Sequence, residues 1–322
     1  MVRHELMGLP VRHAVPLLHT ALAEAGTAVL TAPPGTGKTT LVPLALAGLL
    51  PELTGDPGRP RRVIVAEPRR LAARAAARRM AWLLDEPVGR RVGFAVRGER
   101  RPGSLIEVVT TGVLLQRLQR EPELDGVGVV LLDECHERHL DADTALAFLL
   151  DARAALRPDL RLVAASATAD TGPWAGLLGG NLPGGAAPGP APVVSAEGVL
   201  HPVDLVWAPP PRTPRPPHGM RVDPALLDHV AATVRRALAE RDGDVLCFLP
   251  GVGEIAKVAG ALAGVEVLQV HGQATAAVQD AVLRPGERRR VVLATSVAES
   301  SLTLPGVRVV VDSGLAREPR TD

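Results

Sequence analysis

The chain has 322 residues, of which 46% are hydrophobic and only 2% aromatic, so it can form two domains whose cores are mainly Leu, Val and Ala. The formal net charge of +1 indicates no particular class of partner, and two well-separated cysteines, Cys135 and Cys247, do not support a disulfide framework. The sequence contains no apolar run long enough to span a membrane and no secretory signal, so we expect a reduced, cytoplasmic protein.

Short apolar runs alternate with helical stretches along the chain. The predicted strands lie near residues 27–32, 62–67, 106–110, 128–133, 161–166, 203–208, 244–249, 266–271, 290–295 and 307–312. The predicted helices include 69–84, 141–156 and 224–240. Strands that are continuous Val, Leu and Ile runs, separated by helices, are typical of the α/β class, in which helices cover both faces of a parallel sheet.

Two low-complexity stretches indicate the domain organisation. Residues 179–192 are rich in Gly and Pro, and residues 208–219 are rich in Pro. We place a boundary near 195–200, which predicts a first domain over 1–196 and a second over 197–322.

The stretch TAPPGTGKTT, here called the phosphate loop, follows the first predicted strand. It fits the pattern G-x-x-x-x-G-K-[ST], with an alanine in the first glycine position. Gly35 and Gly37 allow backbone N–H groups to turn towards phosphate oxygens, and the helix predicted from Lys38 onwards would add its dipole. Lys38 is one of only two lysines among 36 basic residues, which indicates a position where the larger arginine would not fit. The alternative is a Gly-rich turn without a ligand. The predicted nucleotide-binding residues are Pro34, Gly35, Thr36, Gly37, Lys38, Thr39 and Thr40.

The stretch VVLLDECHERHL, here called the acid box, follows another apolar strand. Ligands of α/β sheets gather at the carboxyl ends of strands, where Asp133 and Glu134 lie. With the hydroxyl of Thr39, Asp133 suits Mg²⁺, and Glu134 suits deprotonation of an attacking water. Taken alone, such a pair of acids is common, and His136 alone could be a surface residue.

Two further stretches are weaker signals. RLVAASATAD ends a strand in small hydroxyl residues, Ser166 and Thr168, which could relay a hydrogen-bond change from a carboxylate site. Between residues 59 and 101 there are 13 arginines and four acids, which could face a polyanion or form a solvated helix face.

Together, seven ordered stretches resemble the DEAH/RHA helicase family of superfamily 2, and within it the bacterial HrpB-like helicases. They are APPGTGKTT, EPRRLAARAAARRMA, VVTTGVLLQRL, LLDECHERHL, SATAD, GDVLCFLPGVGEI and VVLATSVAESSLTLPGVRVVVDSGLA. The resemblance implies two tandem RecA-like lobes and an ATP-dependent helicase that couples hydrolysis between the lobes to movement along single-stranded RNA or DNA. The implied cofactors are ATP and Mg²⁺, and no protein partner is predicted.

The resemblance also implies roles for single residues. Lys38, Asp133, Glu134 and His136 would be catalytic, and Ser166 and Thr168 would couple hydrolysis to lobe movement. Arg79 would stack on adenine and Ser301 would sense the γ-phosphate. The residues that would contact the nucleic acid are Arg69, Arg70, Thr111, Gly112, Thr295 and Ser296.

The sequence also departs from the family pattern. It contains no Q-x-x-G-R-x-G-R string, the motif that carries the family's arginine finger, so we expect an incomplete second lobe and a truncated chain. Three hypotheses therefore stay open. They are a nucleic-acid-dependent ATPase and helicase, a non-catalytic module that binds ATP and nucleic acid, and a phosphate-loop enzyme unrelated to nucleic acid.

Overall fold

A computed structural model of the chain describes residues 8–54, 60–180, 189–198, 201–219, 221–272, 274–296 and 304–317. The chain divides into two compact units, Met1–His201 and Pro202–Asp322. In both units parallel strands are flanked by helices, which confirms the predicted α/β class.

The first unit is built on an eight-stranded sheet within the described residues. Its elements are α1 Val15–Glu24, β1 Thr27–Thr31, α2 Leu41–Leu46, α3 Pro51–Thr54, β2 Arg62–Glu67, α4 Arg70–Leu83, β3 Val92–Val96, β4 Glu99–Arg101, β5 Ile106–Thr110, α5 Thr111–Arg120, β6 Val127–Leu132, α6 Leu140–Ala155, β7 Arg161–Ser166, α7 Gly172–Gly179 and β8 Val193–Ser195. The strand order is β4-β3-β5-β2-β6-β7-β1-β8, and all neighbours are parallel except β3 and β4.

Alternation of side chains along the strands builds two separate core layers. In β2, Val63 and Val65 belong to the layer that packs against α1, α2 and α4, whereas Ile64 and Ala66 belong to the layer under α5, α6 and α7. Burial of each such aliphatic side chain contributes roughly 1.5–3 kcal/mol to folding. Because both faces are covered, the strands read as unbroken apolar runs.

The second unit is built on a four-stranded parallel sheet within the described residues. Its elements are α8 Pro224–Glu240, β9 Asp244–Phe248, α9 Val252–Ala261, β10 Glu266–Val270, α10 Ala276–Val282, β11 Arg290–Ala294 and β12 Val307–Asp312, with strand order β10-β11-β9-β12. The buried Arg290 binds Asp244 at 2.9 Å and so ties β11 to β9. Asp223 caps α8 by accepting a hydrogen bond from the Ala225 N–H at 3.0 Å.

The structure corrects the sequence analysis at three places. The strand predicted at 203–208 is absent, and Leu205 and Trp207 are 93% and 85% exposed. An apolar run becomes a strand only where a partner strand pairs with it, and the described residues provide none here. The helix predicted from Lys38 begins only at Leu41, because Pro43 has no N–H to bond the preceding turn.

The third correction is a hairpin that the sequence analysis missed. β3 and β4 pair antiparallel across a tight turn at Arg97 and Gly98, where Gly98 has a φ of 83°. Arginines flank the short apolar run of β3 on both sides, so the run was not recognised as a strand. Gly93 is required here, since an added Cβ would lie 2.1 Å from the Arg101 carbonyl oxygen.

Candidate active site and nucleic-acid groove

Three neighbouring strands place the predicted chemistry at one edge of the first sheet. β6 ends just before Asp133, β7 ends at Ser166, and β1 ends at Thr31 in the phosphate loop. The three strands are parallel and β7 lies between the other two, so their carboxyl ends meet. Two stretches far apart in sequence, the phosphate loop and the acid box, are therefore neighbours in space.

Two glycines shape the phosphate loop. Gly35 and Gly37 have φ values of 79° and 96°, in the left-handed region that strains other residues. The Thr36 hydroxyl donates to the Pro33 carbonyl at 2.7 Å and closes the turn between them. Local sequence therefore builds a tight loop that a larger residue at either glycine would distort.

The residues that precede the first helix pack against the phosphate loop. A short 3-10 helix, Pro10–His13, follows Leu9, and the Val11 N–H donates to the Thr36 carbonyl at 3.1 Å. An added Cβ at Gly37 would lie 2.7 Å from the Leu9 Cδ1 atom. Gly37 thus serves close packing as well as backbone conformation.

Lys38 is the buried cation of the site. Its Nζ atom lies 2.5 Å from Glu134 Oε1 and 3.6 Å from Asp133 Oδ1. Burial alone would lower the pKa of Lys38, but attraction by Asp133 and Glu134 outweighs it and holds the pKa above its ordinary value. The ammonium group therefore stays charged where phosphate oxygens would compete with the acid box for it.

Thr39 and Asp133 supply oxygen atoms suited to a hard cation. The Thr39 hydroxyl donates to Asp133 Oδ2 at 2.5 Å, and the Glu134 N–H donates to Asp133 Oδ1 at 2.8 Å. No group of three or more His, Cys, Asp or Glu forms a metal cage within the described residues. Mg²⁺ usually takes one or two carboxylates together with substrate phosphates, and these residues fit that requirement.

Glu134 has an unusual backbone and an unusual acidity. Its φ of 52° and ψ of 35° are left-handed, a conformation that costs a non-glycine residue about 1 kcal/mol or more. Burial and the neighbouring charge of Asp133 raise the pKa of Glu134, although Lys38 opposes them. A carboxylate with a raised pKa is a better proton acceptor, as a general base requires.

His136 connects the acid box with the loop after β7. The Ala167 N–H donates to His136 Nδ1 at 3.3 Å, so Nδ1 is an acceptor and the ring proton lies on Nε2. Nε2 is 3.4 Å from Glu134 Oε2. His136 therefore directs its N–H towards Glu134, and movement of the loop at Ala167 would change that contact.

Ser166 and Thr168 hold that same loop in shape. The Ser166 hydroxyl donates to the Thr168 carbonyl at 3.1 Å and accepts the Thr168 N–H at 3.0 Å. The Ser166 carbonyl accepts the Ala32 N–H at 3.0 Å, at the entrance to the phosphate loop. The loop formed by the predicted coupling residues thus contacts the phosphate loop through Ser166 and the acid box through Ala167, which lies between them.

Glu67 is a third carboxylate in this region, and it was not among the predicted site residues. It is the last residue of β2, the strand next to β6, and it is 0% exposed. Burial raises the pKa of Glu67 well above its ordinary value, and the charges of Asp133 and Glu134 add to the effect. The available signal was a glutamate that closes an otherwise apolar strand.

A groove of about 1010 Å³ lies at the ends of β2, β3 and β5, beside the acid box in the strand order. Three of its lining residues, Arg70, Thr111 and Gly112, were predicted to contact nucleic acid. Arg97 of the β3–β4 turn and Arg100 of β4 also line it, and neither was predicted individually. A groove lined by arginines and hydroxyls suits phosphate contacts that are independent of base sequence.

Arg69 lies between this groove and the acid box. Its Nη2 atom is 3.5 Å from Glu137 Oε2, which also contacts His139 Nε2 at 2.6 Å. Arg97, in contrast, is exposed and has no ion pair within the described residues. A polyanion would therefore have to compete with Glu137 for Arg69 but would find Arg97 available.

The remaining predicted residues lie elsewhere. Arg79 is on the exposed side of α4, with its guanidinium 4.3 Å from the Trp82 ring centroid. In the second unit Thr295 follows β11, and its N–H donates to the Val270 carbonyl at 3.1 Å. Ser296 comes next and is exposed, and Ser301 lies outside the described residues.

Comparison with known proteins identifies the family to which the chain belongs. Residues 13–173 match the DEAD/DEAH box helicase model, and residues 226–322 match the helicase conserved C-terminal domain. The chain belongs to the DEAD/DEAH box helicase family. The resemblance to DEAH/RHA helicases is thereby confirmed, and the two matched domains correspond to the predicted RecA-like lobes.

Similar proteins include several RNA helicases. The ATP-dependent RNA helicase HrpB of Escherichia coli is 43% identical over 98% of this chain and 37% of its own length. Human ATP-dependent RNA helicase DHX30 is 34% identical over the whole chain and 28% of its own length. A crystal structure of E. coli DEAH/RHA helicase HrpB matches with a TM-score of 0.78 at 40% identity, over 98% of this chain and 38% of that one. The helicase chain described here thus spans roughly a third of the length of these relatives.

The helices and the cysteines of the described residues show two further features of this helicase chain. None of its helices combines the length and the apolar character that crossing a lipid bilayer requires. Both cysteines are buried as free thiols, and burial raises the pKa of each to about 12.

Proposed function

We propose that the chain is the motor region of an ATP-dependent RNA helicase, which couples ATP hydrolysis to movement along a single strand. One observation carries this proposal. At the carboxyl edge of one sheet, the phosphate loop follows β1, the acid box follows β6 and the Ser166 loop follows β7. The arginine-lined groove lies at the same edge, at the ends of the adjacent strands β2, β5 and β3. Nucleotide chemistry and strand binding would therefore share one rigid support.

The chain's own side chains suggest how hydrolysis would proceed. Lys38 would release Glu134 and bind the β- and γ-phosphate oxygens, because the Glu134 carboxylate and the phosphates compete for one ammonium group. Glu134 would then accept a proton from the attacking water. Mg²⁺ held beside Thr39 and Asp133 would neutralise charge on the phosphate oxygens.

His136 would transmit the change at Glu134 to the rest of the motor. Its Nε2–H faces Glu134, and its Nδ1 accepts from the Ala167 backbone. A proton gained by Glu134 would weaken its attraction for His136 and free the Ser166–Thr168 loop to shift. The roles of Arg69, Thr295 and the other predicted residues are part of the same proposal, as are the domain limits 1–196 and 197–322 and the cytoplasmic location.

RNA is proposed as the strand because the relatives are named RNA helicases. Contacts to phosphates alone would not distinguish RNA from DNA, since selection between them requires a contact to the 2′-hydroxyl. Competition between single-stranded RNA and DNA of the same sequence, at fixed salt, measures the preference directly.

The decisive experiment is ATPase turnover with and without single-stranded RNA, in the wild type and in Glu134→Gln. Stimulated turnover in the wild type that disappears in the variant, with nucleotide binding retained, is expected. ATP and RNA binding without turnover would instead support a non-catalytic module, and turnover that RNA does not change would support an enzyme unrelated to nucleic acid. Lys257→Ala, which changes the other lysine of the chain, is the control.

A further inference from the structure

Glu67 is a buried carboxylate for which the mechanism above has no use. Its side chain is fully buried, and within the described residues no N–H or O–H group donates to either carboxyl oxygen. The side chain that it contacts at hydrogen-bonding distance is another carboxyl group, that of Asp133. Folded proteins rarely leave both oxygens of a buried carboxyl without a partner, because burial of an unsatisfied polar group is costly. Two buried carboxyl groups in contact, one of them without any donor, indicate a ligand at this functional edge.

Strand geometry places Glu67 on the same side of the sheet as the phosphate loop and Asp133. Side chains alternate along a strand, so Glu67 lies on the same face of β2 as Val63 and Val65. By the same alternation, Asp133 lies on the face of β6 that carries Val129 and Leu131. Both sets belong to the core layer that contains α2. The Asp133 N–H donates to the Ala66 carbonyl at 2.9 Å, so the ends of β2 and β6 are tied together beside the two carboxylates.

The neighbouring acids accept hydrogen bonds from donor groups, and Glu67 accepts none within the described residues. Asp133 accepts from Thr39 through one oxygen and from the Glu134 N–H through the other. Glu134 accepts from Lys38. Lys38 thus pairs with Asp133 and Glu134, and Glu67 adds a third carboxyl group beside them that has no donor of its own.

We propose that Glu67 is a second carboxylate of the cation site, which accepts hydrogen bonds from water bound to the Mg²⁺ that Thr39 and Asp133 hold. This assignment rests on the proposed function, in which the phosphate loop binds a nucleotide with Mg²⁺. A divalent cation would reduce the repulsion between the Glu67 and Asp133 carboxylates, and its bound water would supply the donors that Glu67 lacks.

Glu67→Gln tests the assignment because it keeps the shape and replaces one acceptor oxygen with an NH₂ donor. A fluorescent ADP analogue is titrated first with EDTA present and then with increasing Mg²⁺. The Mg²⁺ concentration that gives half of the metal-dependent increase in affinity is expected to rise about tenfold or more, as for other outer-shell partners of metals. Affinity in EDTA should not change.

Two further variants make the result specific. Glu107→Gln removes a different buried glutamate of the same sheet, one that is bonded to Arg100 and Arg117, and should leave the Mg²⁺ requirement as in the wild type. Glu67→Asp keeps a carboxylate on a shorter stem and should give an intermediate shift. It also serves if Glu67→Gln fails to fold.

The outcomes separate this inference from the proposed function. A wild-type chain that does not bind the nucleotide, or binds it without any effect of Mg²⁺, would overturn both. Normal Mg²⁺-dependent binding in the wild type together with an unchanged Mg²⁺ requirement in both Glu67 variants would overturn this inference alone.

Discussion

Replacing Lys38 by alanine tests two consequences of a single buried ammonium group. The first concerns the nucleotide. A hydrogen bond from a charged donor contributes about 2–3 kcal/mol, so we predict that nucleotide affinity falls about 30- to 150-fold. The sequence alone supports this expectation, because Lys38 occupies the lysine position of the phosphate-loop pattern.

The second consequence follows from the contacts of Lys38 in the fold. At 3.6 Å from Asp133 Oδ1 and 2.5 Å from Glu134 Oε1, its charge balances buried carboxylates. The attraction to Asp133 alone is about 4–5 kcal/mol at an effective dielectric constant of about 20, before any desolvation cost. Removal of one partner of a buried pair costs about 3–5 kcal/mol, so we predict a loss of about 3 kcal/mol in unfolding free energy at pH 7.5.

The loss should depend on pH with a definite sign. Glu67 and Glu134 have raised pKa values in the folded state, so the fold binds protons more readily than the unfolded chain and gains stability as pH falls towards their ordinary values. Lys38 lowers the pKa of Glu67 and of Glu134 in the wild type. In Lys38→Ala both pKa values are therefore higher, and the stability gained as pH falls is larger. Asp133 and Glu134 hold the pKa of Lys38 above its ordinary value, so its own charge is constant in this range. The destabilisation caused by Lys38→Ala should therefore shrink between pH 7.5 and pH 5.5.

Urea unfolding followed by tryptophan fluorescence measures this loss. Trp82 and Trp174 report on the first unit, and the exposed Trp207 of the second is replaced by phenylalanine in all samples. Lys257→Ala is the matched control, since that lysine lies in the second unit and its pair with Asp228, at 3.8 Å, is exposed. An equal loss at both pH values would refute the electrostatic reasoning, and unchanged nucleotide affinity would refute the phosphate-loop assignment.

Three further predictions follow from the site and the groove. Glu134→Gln should keep ATP and RNA affinity within about twofold while hydrolysis falls to background, because glutamine cannot accept the proton; turnover at the wild-type rate would exclude Glu134 as the base. RNA affinity should fall steeply with salt and vary little with base sequence, and Arg97→Ala or Arg100→Ala should each lower the slope of log K against log salt by about 0.7 if that arginine contacts a phosphate. Cys135 and Cys247, with pKa values of about 12, should resist thiol reagents at pH 8 until urea unfolds the chain; rapid native labelling would contradict their burial.

The sequence predicted the parts of the fold that depend on local pattern. Apolar runs located β1, β2, β5, β6 and β7, because a strand buried on both faces has one continuous signature. The same pattern failed at 203–208, since pairing depends on a partner that local sequence does not reveal. It also failed at β3, a five-residue apolar run flanked by arginines, and at β4, whose three residues Glu-Arg-Arg have no apolar pattern.

The candidate site was predictable in composition but not in its contacts. The spacing of the phosphate loop and the acid box identified Lys38, Thr39, Asp133 and Glu134. In the structure Asp133 contacts each of the other three, and Lys38 also contacts Glu134. Glu67 carried no motif of its own, so only the strand order placed it near the acids. Likewise, no sequence rule indicates which hydrogen bond of His136 fixes its tautomer.

The packing of Leu9 and Val11 against the phosphate loop has a practical meaning for dividing the protein. The matched family domain begins at residue 13, beyond both of them. A fragment cut at that limit would lose the Val11 hydrogen bond to Thr36 and the side chain that contacts Gly37, while it retained every residue of the nucleotide motif. The limits of a family match show where relatives agree in sequence. The folding unit of the phosphate loop extends further towards the N-terminus, to Leu9 and Val11.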